Sequence, residues 1–329
     1  MVEPQIIVEA LSKTYRVATR AEGLGAAFKS LIKRHYDDVK AIREINFTID
    51  PGEIVGFIGP NGAGKTTTLK MLSGLLYPSS GRAIVSGFTP WERKDDFLRN
   101  ISMILGNKSQ MLWDIPPLDT FRVLGEIYRV PKDSFNKTLD ELVSLLEMED
   151  LLSKPVRNLS LGERMKCELV AGLLHQPRVI FLDEPTLGLD ISMQTRLRKF
   201  MAAYNKKHQA TIILTSHYMA DVVTLCKRVI LIHHGQLLYD GDLVALSEKL
   251  APYKLINLTL PNGNQIELDL PQDVEILSHE DGHFSLRVSR KDAAKLTSHL
   301  LNNYIVNDLT VENPPIEAVI DQIYIKEIV

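Results

Sequence analysis

Residues 53–66 read EIVGFIGPNGAGKT. The first part is a short apolar run ending in glycine, the kind of strand that a parallel sheet buries on both faces. The second part is G-x-x-x-x-G-K-T over 59–66, and 64–76 continues as a helix with Leu69, Leu72 and Leu76 on one side. Strand, glycine-rich turn and helix in that order are the context a phosphate-binding loop requires. Gly59, Gly62 and Gly64 let the loop close tightly. Backbone N–H groups then point inward, and the helix start adds its positive dipole end. Lys65 can reach β- and γ-phosphates, and Thr66 can offer a hydroxyl to Mg²⁺. A glycine turn that binds nothing is the alternative, but here motif and context agree.

On either side of this stretch, strands are expected at 5–10, 45–49, 179–183, 210–216 and 228–232, with mostly helical sequence over 118–150. Strands alternating with helices predict an α/β core. VIFLD (179–183) runs into Glu184. Asp183 at the strand tip can hold Mg²⁺ through water, and Glu184 can orient or deprotonate an attacking water. Two acids at a strand end can also merely cap a turn; the phosphate loop upstream favours the catalytic reading.

Near residue 241 the pattern changes to strict alternation, as in IELDL (266–270) and FSLRV (284–288). Pro261-Asn262-Gly263 and Asp281-Gly282 are hairpin turns in sequence. Helices are expected at about 290–303 and after Pro314-Pro315. The expected organisation is thus a 1–240 domain, with a helical subdomain at about 88–175, and a 241–329 α+β domain.

The 329 residues carry a formal charge of −3, which excludes a dedicated basic nucleic-acid binder. Two cysteines, Cys167 and Cys226, make neither a disulfide framework nor a metal quartet. A reducing compartment fits. No apolar run reaches the ~18 residues of a membrane span, and no secretory signal is expected at the start. A membrane role would come through partners. His233 and His234 at a strand end admit a metal reading, with a hairpin turn as the alternative.

Five further pieces carry a resemblance. They are LSLGE at 159–163, GLD at 188–190, TSHY at 215–218, Tyr15 after the first strand, and a glutamine-containing loop near 107–114. With the phosphate loop and the paired acids, residues 5–240 resemble the nucleotide-binding subunits of ABC transporters. The resemblance implies an ABC-type P-loop NTPase fold and ATP hydrolysis with Mg²⁺. It implies that Tyr15 stacks on adenine and that Gly59, Pro60, Asn61, Gly62, Ala63, Gly64, Lys65, Thr66 and Thr67 hold the phosphates. Asp183 serves Mg²⁺, Glu184 is the general base, His217 contacts the γ-phosphate and Asp190 lies at a dimer interface. Ser160 and Gly162 bind the γ-phosphate held by an opposite, identical subunit. Tyr15 as a surface residue and His217 as a helix cap are the plainer alternatives.

Two places depart from the family pattern. Leu161 and Glu163 stand where the signature has glycine and glutamine. Ser160 and Glu163 still form S-x-x-E, a capping box. Leu161 is tolerated if its φ is negative and its side chain turns away. The added carboxylate requires neutralisation, for which Arg164 is adjacent. The glutamine loop offers Gln110 as nucleotide and Mg²⁺ contact, with Asn107 as rival; Trp113 fits either a groove for the membrane partner or the core. Residues 16–38 are an insertion, expected to carry a basic amphipathic helix that packs on the chain, on a partner or on an anionic membrane.

The resemblance extends to bacterial exporters of the drug, sodium and polysaccharide type. It implies separate integral membrane permease subunits, no nucleic acid, and a peripheral site on the cytoplasmic face of the inner membrane. An importer ATPase or a non-transport ABC machine is the alternative. A regulatory or dimer-bracing role is expected for 241–329.

Overall fold

The computed structural model describes residues 3–19, 35–106, 108–216, 218–261 and 268–326. The described residues form two compact units, Met1–Gly241 and Asp242–Val329.

In the first unit, β1 (Ile6–Thr19) and β2 (His35–Ile49) form a long antiparallel pair, and β4 (Ser80–Val85) joins β1 on its other edge. The second sheet contains β3 (Ile54–Ile58), β5 (Ile101–Leu105), β6 (Val179–Asp183), β7 (Thr211–Thr215), β8 (Arg228–His233) and β9 (Gln236–Asp242), ordered β5-β6-β7-β3-β8-β9. The pairs β5·β6, β6·β7, β7·β3 and β3·β8 are parallel. All five residues of β6 and of β7 are buried, which is why these strands read as unbroken apolar runs. Helices α1 (Lys65–Leu72), α2 (Asp95–Asn100), α3 (Pro117–Ile127), α4 (Lys132–Leu146), α5 (Leu161–Leu173), α6 (Ile191–His208) and α7 (Met219–Leu225) connect them. Phe47, Phe57, Leu69, Phe97 and Phe181 bring both sheets and the intervening helices into one core. Each such side chain contributes about 1.5–3 kcal/mol by leaving water.

The second unit holds α8 (Leu243–Leu250), β10 (Tyr253–Thr259), β11 (Glu275–Glu280), β12 (His283–Ser289), α9 (Ala293–Asn303), β13 (Asp308–Glu312) and α10 (Ile316–Lys326). Its sheet is ordered β11-β12-β10-β13, and each neighbouring pair is antiparallel. Ile256, Leu258, Phe284, Leu286 and Val288 pack with Leu296 and Leu300 of α9. Asp281 (φ 46°) and Gly282 (φ 83°) make the β11–β12 turn, matching the left-handed pair that a two-residue hairpin needs.

Three expectations change. β5 lies inside the stretch assigned to the helical subdomain and belongs to the main sheet. Of the strand expected at 266–270, the described residues 268–270 are not strand, Leu268 and Leu270 packing against the second core, and an unexpected strand stands at 275–280. Finally, both ends of the 16–38 insertion are strand, with Arg16 opposite Asp38. Its helical reading over 20–34, and Asn262-Gly263, lie outside the described residues.

Candidate active site

β3 runs out at Ile58, and Gly59 passes β8 so closely that a Cβ would lie 2.3 Å from the carbonyl oxygen of Ile232. Gly62 and Gly64 have φ of 79° and 111°, values that favour glycine. Gly64 is the N-cap of α1, so the loop delivers the unsatisfied N–H groups of that helix start. Asn61 and Gly62 are exposed at the crest; Ala63 is buried, and Pro60, Thr66 and Thr67 are half-buried. Lys65 is 5% exposed, and its ammonium donates to the carbonyls of Gly59 (2.6 Å) and Pro60 (3.2 Å). Burial draws its pKa below the usual lysine value, opposed by the charges of Glu184 and Asp183. The cation and both acids therefore act on one another.

Asp183, at the end of β6, is buried yet fully engaged. The Thr66 hydroxyl donates to its two oxygens at 2.8 and 3.1 Å, and the Thr215 hydroxyl donates to Oδ1 at 2.7 Å. Glu184 follows with φ 56°, a left-handed conformation that is strained for a side-chain-bearing residue. Its N–H is held by both the carbonyl and the hydroxyl of Thr215, each at 3.1 Å. Thr66, Asp183 and Glu184 line a cleft of about 100 Å³ together with Lys70, Leu105, Lys108 and Leu187. The hydroxyl and carboxylate oxygens of Thr66 and Asp183 are the hard donors that suit Mg²⁺.

Ser160 caps α5 through a complete capping box. Its N–H donates to Glu163 Oε2 at 2.8 Å, and the Glu163 N–H donates to Ser160 Oγ at 3.3 Å. The Ser160 N–H holds the Glu163 carboxyl below the usual carboxylate range. The neutralisation expected from Arg164 does not occur: its Nε donates to the Leu159 carbonyl at 2.8 Å and its guanidinium lies 4.6 Å from the Trp113 ring. The Ser160 N–H serves the carboxylate instead, with the charges of Lys154 and Lys166 adding to it. Leu161 is the first helical residue, has no positive φ and is 46% exposed. A Cβ on Gly162 would press against Met193 of α6 at 3.2 Å. Asp190 caps α6 by accepting the Met193 N–H at 2.9 Å.

Not every expected residue joins this cluster. Gln110 does not line the cleft: its amide donates toward the Glu168 carbonyl at 3.4 Å, and its N–H meets the Glu168 carboxylate. Lys108 lines the cleft on the same loop. Asn107 and His217 lie outside the described residues. Tyr15 stands on β1 opposite Val39, partly exposed, with the Lys13 ammonium 5.3 Å from its ring centre. Trp113 is 49% exposed and so is not core. His234 and Gly235 form the turn after β8, with φ of 46° and 76°. Among the described residues no three metal-ligating side chains cluster.

Sequence reasoning gave no role to Thr215, Lys108 or Glu168, and placed Asp221 only beside a helix start. Thr215 lay within the quoted TSHY. Buried Asp221 accepts from Thr186 and Ser216 hydroxyls at 2.5 and 2.7 Å and pairs with Arg198 at 2.7 Å. An acid amid the apolar residues of a helix was the available signal.

A glycine loop between a buried strand and a helix, its lysine, and an acid on the neighbouring strand tip define a P-loop nucleoside triphosphatase. Comparison with known proteins narrows the class. The ABC transporter family model matches residues 42–187, and the model for the EvrA-like ABC transporter C-terminal domain matches 252–312. The ABC transporter ATP-binding protein NatA of Bacillus subtilis (strain 168) is 35% identical over 210 residues, 64% of this chain and 85% of that protein. The bacitracin transport ATP-binding protein BcrA of Bacillus licheniformis is 28% identical over 282 residues, 86% of this chain and 88% of its own length. The solved structure of cbiO1 from Clostridium perfringens, part of the ABC transporter complex cbiONQ, matches with TM-score 0.62 and 25% identity, covering 75% of this chain and 92% of that one. The chain belongs to the ATP-binding proteins of ABC transporters, and its activity is ATP hydrolysis.

Proposed function

We propose that two copies of this chain close around two Mg-ATP and drive export through separate permease subunits. The observation that carries the dimer is the lining of the cleft. It holds Thr66, Asp183 and Glu184 but no residue of the 159–163 signature. The start of α5 carries Ser160 and Gly162 and leaves Leu161 exposed. A helix N-terminus is an anion site, and one that does not line its own cleft suits the phosphate held by a second copy.

Within each site, Gly59 to Thr67 would cradle the phosphates and Lys65 would stabilise charge between the β- and γ-groups. Thr66 and Asp183 would hold Mg²⁺, which when bound neutralises charge on the phosphate oxygens. Glu184 would take the proton of the attacking water. Tyr15 would stack on adenine, Asp190 would face the second copy, and His217 would contact the γ-phosphate.

No helix among the described residues is long and apolar enough to cross a membrane, so the permease is proposed as a separate chain. A second cleft, about 440 Å³, combines Arg93, Arg99 and Arg129 with Leu75, Ile127 and Tyr128. It offers apolar and charged contacts to a permease segment on the cytoplasmic side. The bacitracin-transport relative supports a transport role, and the 242–329 unit is proposed to brace or regulate the dimer. Purification of the tagged chain from detergent-solubilised membranes tests this reading. A permease in the complex is expected; a purely soluble complex overturns the transport role.

A further inference from the structure

We propose that Glu168 is a positioning residue that ties the signature helix α5 to the catalytic cleft. It lies on α5 eight residues after the Ser160 cap and is 5% exposed. Its carboxylate accepts from three consecutive residues of the loop after β5. These donors are the Ser109 hydroxyl, the Gln110 N–H at 3.1 Å to both oxygens, and the Met111 N–H at 3.4 Å. A buried carboxylate is costly, and an apolar side chain of similar volume would usually serve stability as well or better. Stability alone therefore does not account for an acid at this place, whereas the capture of a loop does.

The other end of the same loop meets the catalytic acids. The Gly106 N–H donates to the Asp183 carbonyl at 2.9 Å, and a Cβ on Gly106 would lie 2.2 Å from the Glu184 carbonyl oxygen. Between the two anchors, Lys108 lines the cleft beside Thr66, Asp183 and Glu184. Glu168 thus fixes one end of a short span whose other end touches the backbone of both acids. A movement of α5 draws residues 109–111 with it and alters where Lys108 stands. Ser160 at the tip of the helix and the acids of the chain's own cleft are in this way mechanically joined. Glu168 touches no reacting atom.

The test uses the full-length chain carrying Trp91→Phe, which leaves Trp113, two residues beyond Met111, as its sole tryptophan. Glu168→Gln keeps the volume but replaces one accepting oxygen by an amide donor. It should lower kcat for Mg-ATP about tenfold with the Kd for ATP changed less than about twofold, a split that a general loss of structure does not give. Acrylamide quenching of Trp113 should change in parallel. Ser109→Ala should lower kcat by about threefold, and the double variant should lose less than the product of the single effects, because both remove the same contact. An unchanged kcat and unchanged quenching in Glu168→Gln overturn the proposal, as does an ATP Kd that weakens as much as kcat falls. If Glu168→Gln does not fold, Ser109→Ala decides: wild-type kcat and quenching overturn it. The inference rests on Asp183 and Glu184 as the catalytic acids for its kcat readout only. Glu184→Gln checks that assignment separately, while Trp113 quenching reports on the Glu168 anchor whichever acid is catalytic.

Discussion

The hydroxyl of Thr66 donates to both carboxylate oxygens of Asp183, at 2.8 and 3.1 Å, across 117 residues of chain. One residue lies in the first turn of the helix after the phosphate loop; the other closes a strand two places away from β3 in the sheet order. The bond exists because parallel strands present their C-terminal ends at one edge of the sheet, where the loops that follow them meet. β3 delivers Lys65 and Thr66, β6 delivers Asp183 and Glu184, and β7, lying between them, delivers Thr215.

Thr215 is the support on which both acids depend. Its side chain is buried and simultaneously donates to Asp183 and accepts from the Glu184 N–H. Thr215→Val preserves shape but removes a hydrogen bond to a charged group. The expected loss of stability is about 1.5–3 kcal/mol, read by urea denaturation. Hydrolysis should fall as well, and higher Mg²⁺ should restore part of it, because the displaced Asp183 carboxylate binds the ion less well. Unaltered stability together with unaltered Mg²⁺ dependence would remove Thr215 from this role.

The phosphate loop and the acids were legible because each is local. Glycine spacing sets a backbone shape, and an apolar run ending in acids identifies the C-terminal edge of a buried strand. β5 was not legible: five residues, ISMIL, sit among helical sequence, and their pairing partner begins at Val179. β11 escaped for a different reason. All six of its residues are exposed, so no alternation of burial marks it. Gln110 stands off the cleft, its loop hydrogen-bonded to Glu168 of α5, a contact 58 residues away. Spacing can locate such a loop but not its path.

The Ser160–Glu163 capping box makes a pH-dependent prediction. The Ser160 N–H stabilises the ionised carboxyl of Glu163 in the folded chain, so its folded pKa lies below the unfolded value of about 4.3. The stabilisation is fully present above that unfolded value and is lost as pH falls through the lower folded one. Glu163→Ala should cost about 0.5–1 kcal/mol at pH 7, the size of a capping interaction at an exposed helix start. Wild type and variant should converge in stability as the medium is acidified below about pH 4. A difference that persists undiminished there would mean that side-chain packing, and not the ionised cap, carries the effect.

Glu184→Gln tests the hydrolytic assignment itself. The substitution keeps the side chain's size, and both residues meet the same demand for a left-handed backbone at φ 56°. The anchor of that backbone, the Glu184 N–H on the Thr215 carbonyl and hydroxyl, is untouched. What is lost is the carboxylate, and with it a proton acceptor for the attacking water. Hydrolysis should fall by about 10²–10⁴. Lys65, Thr66 and Asp183 are unaltered, so Mg-ATP binding should persist, and uncleaved ATP should accumulate a closed dimer with two nucleotides. Size-exclusion chromatography with Mg-ATP, followed by nucleotide quantitation, reads this directly. A variant that hydrolyses ATP normally removes Glu184 from the base role. A variant that is slow and binds ATP but stays monomeric keeps the base and locates the fault in the cross-subunit grip, where Leu161 and Glu163 depart from the usual signature.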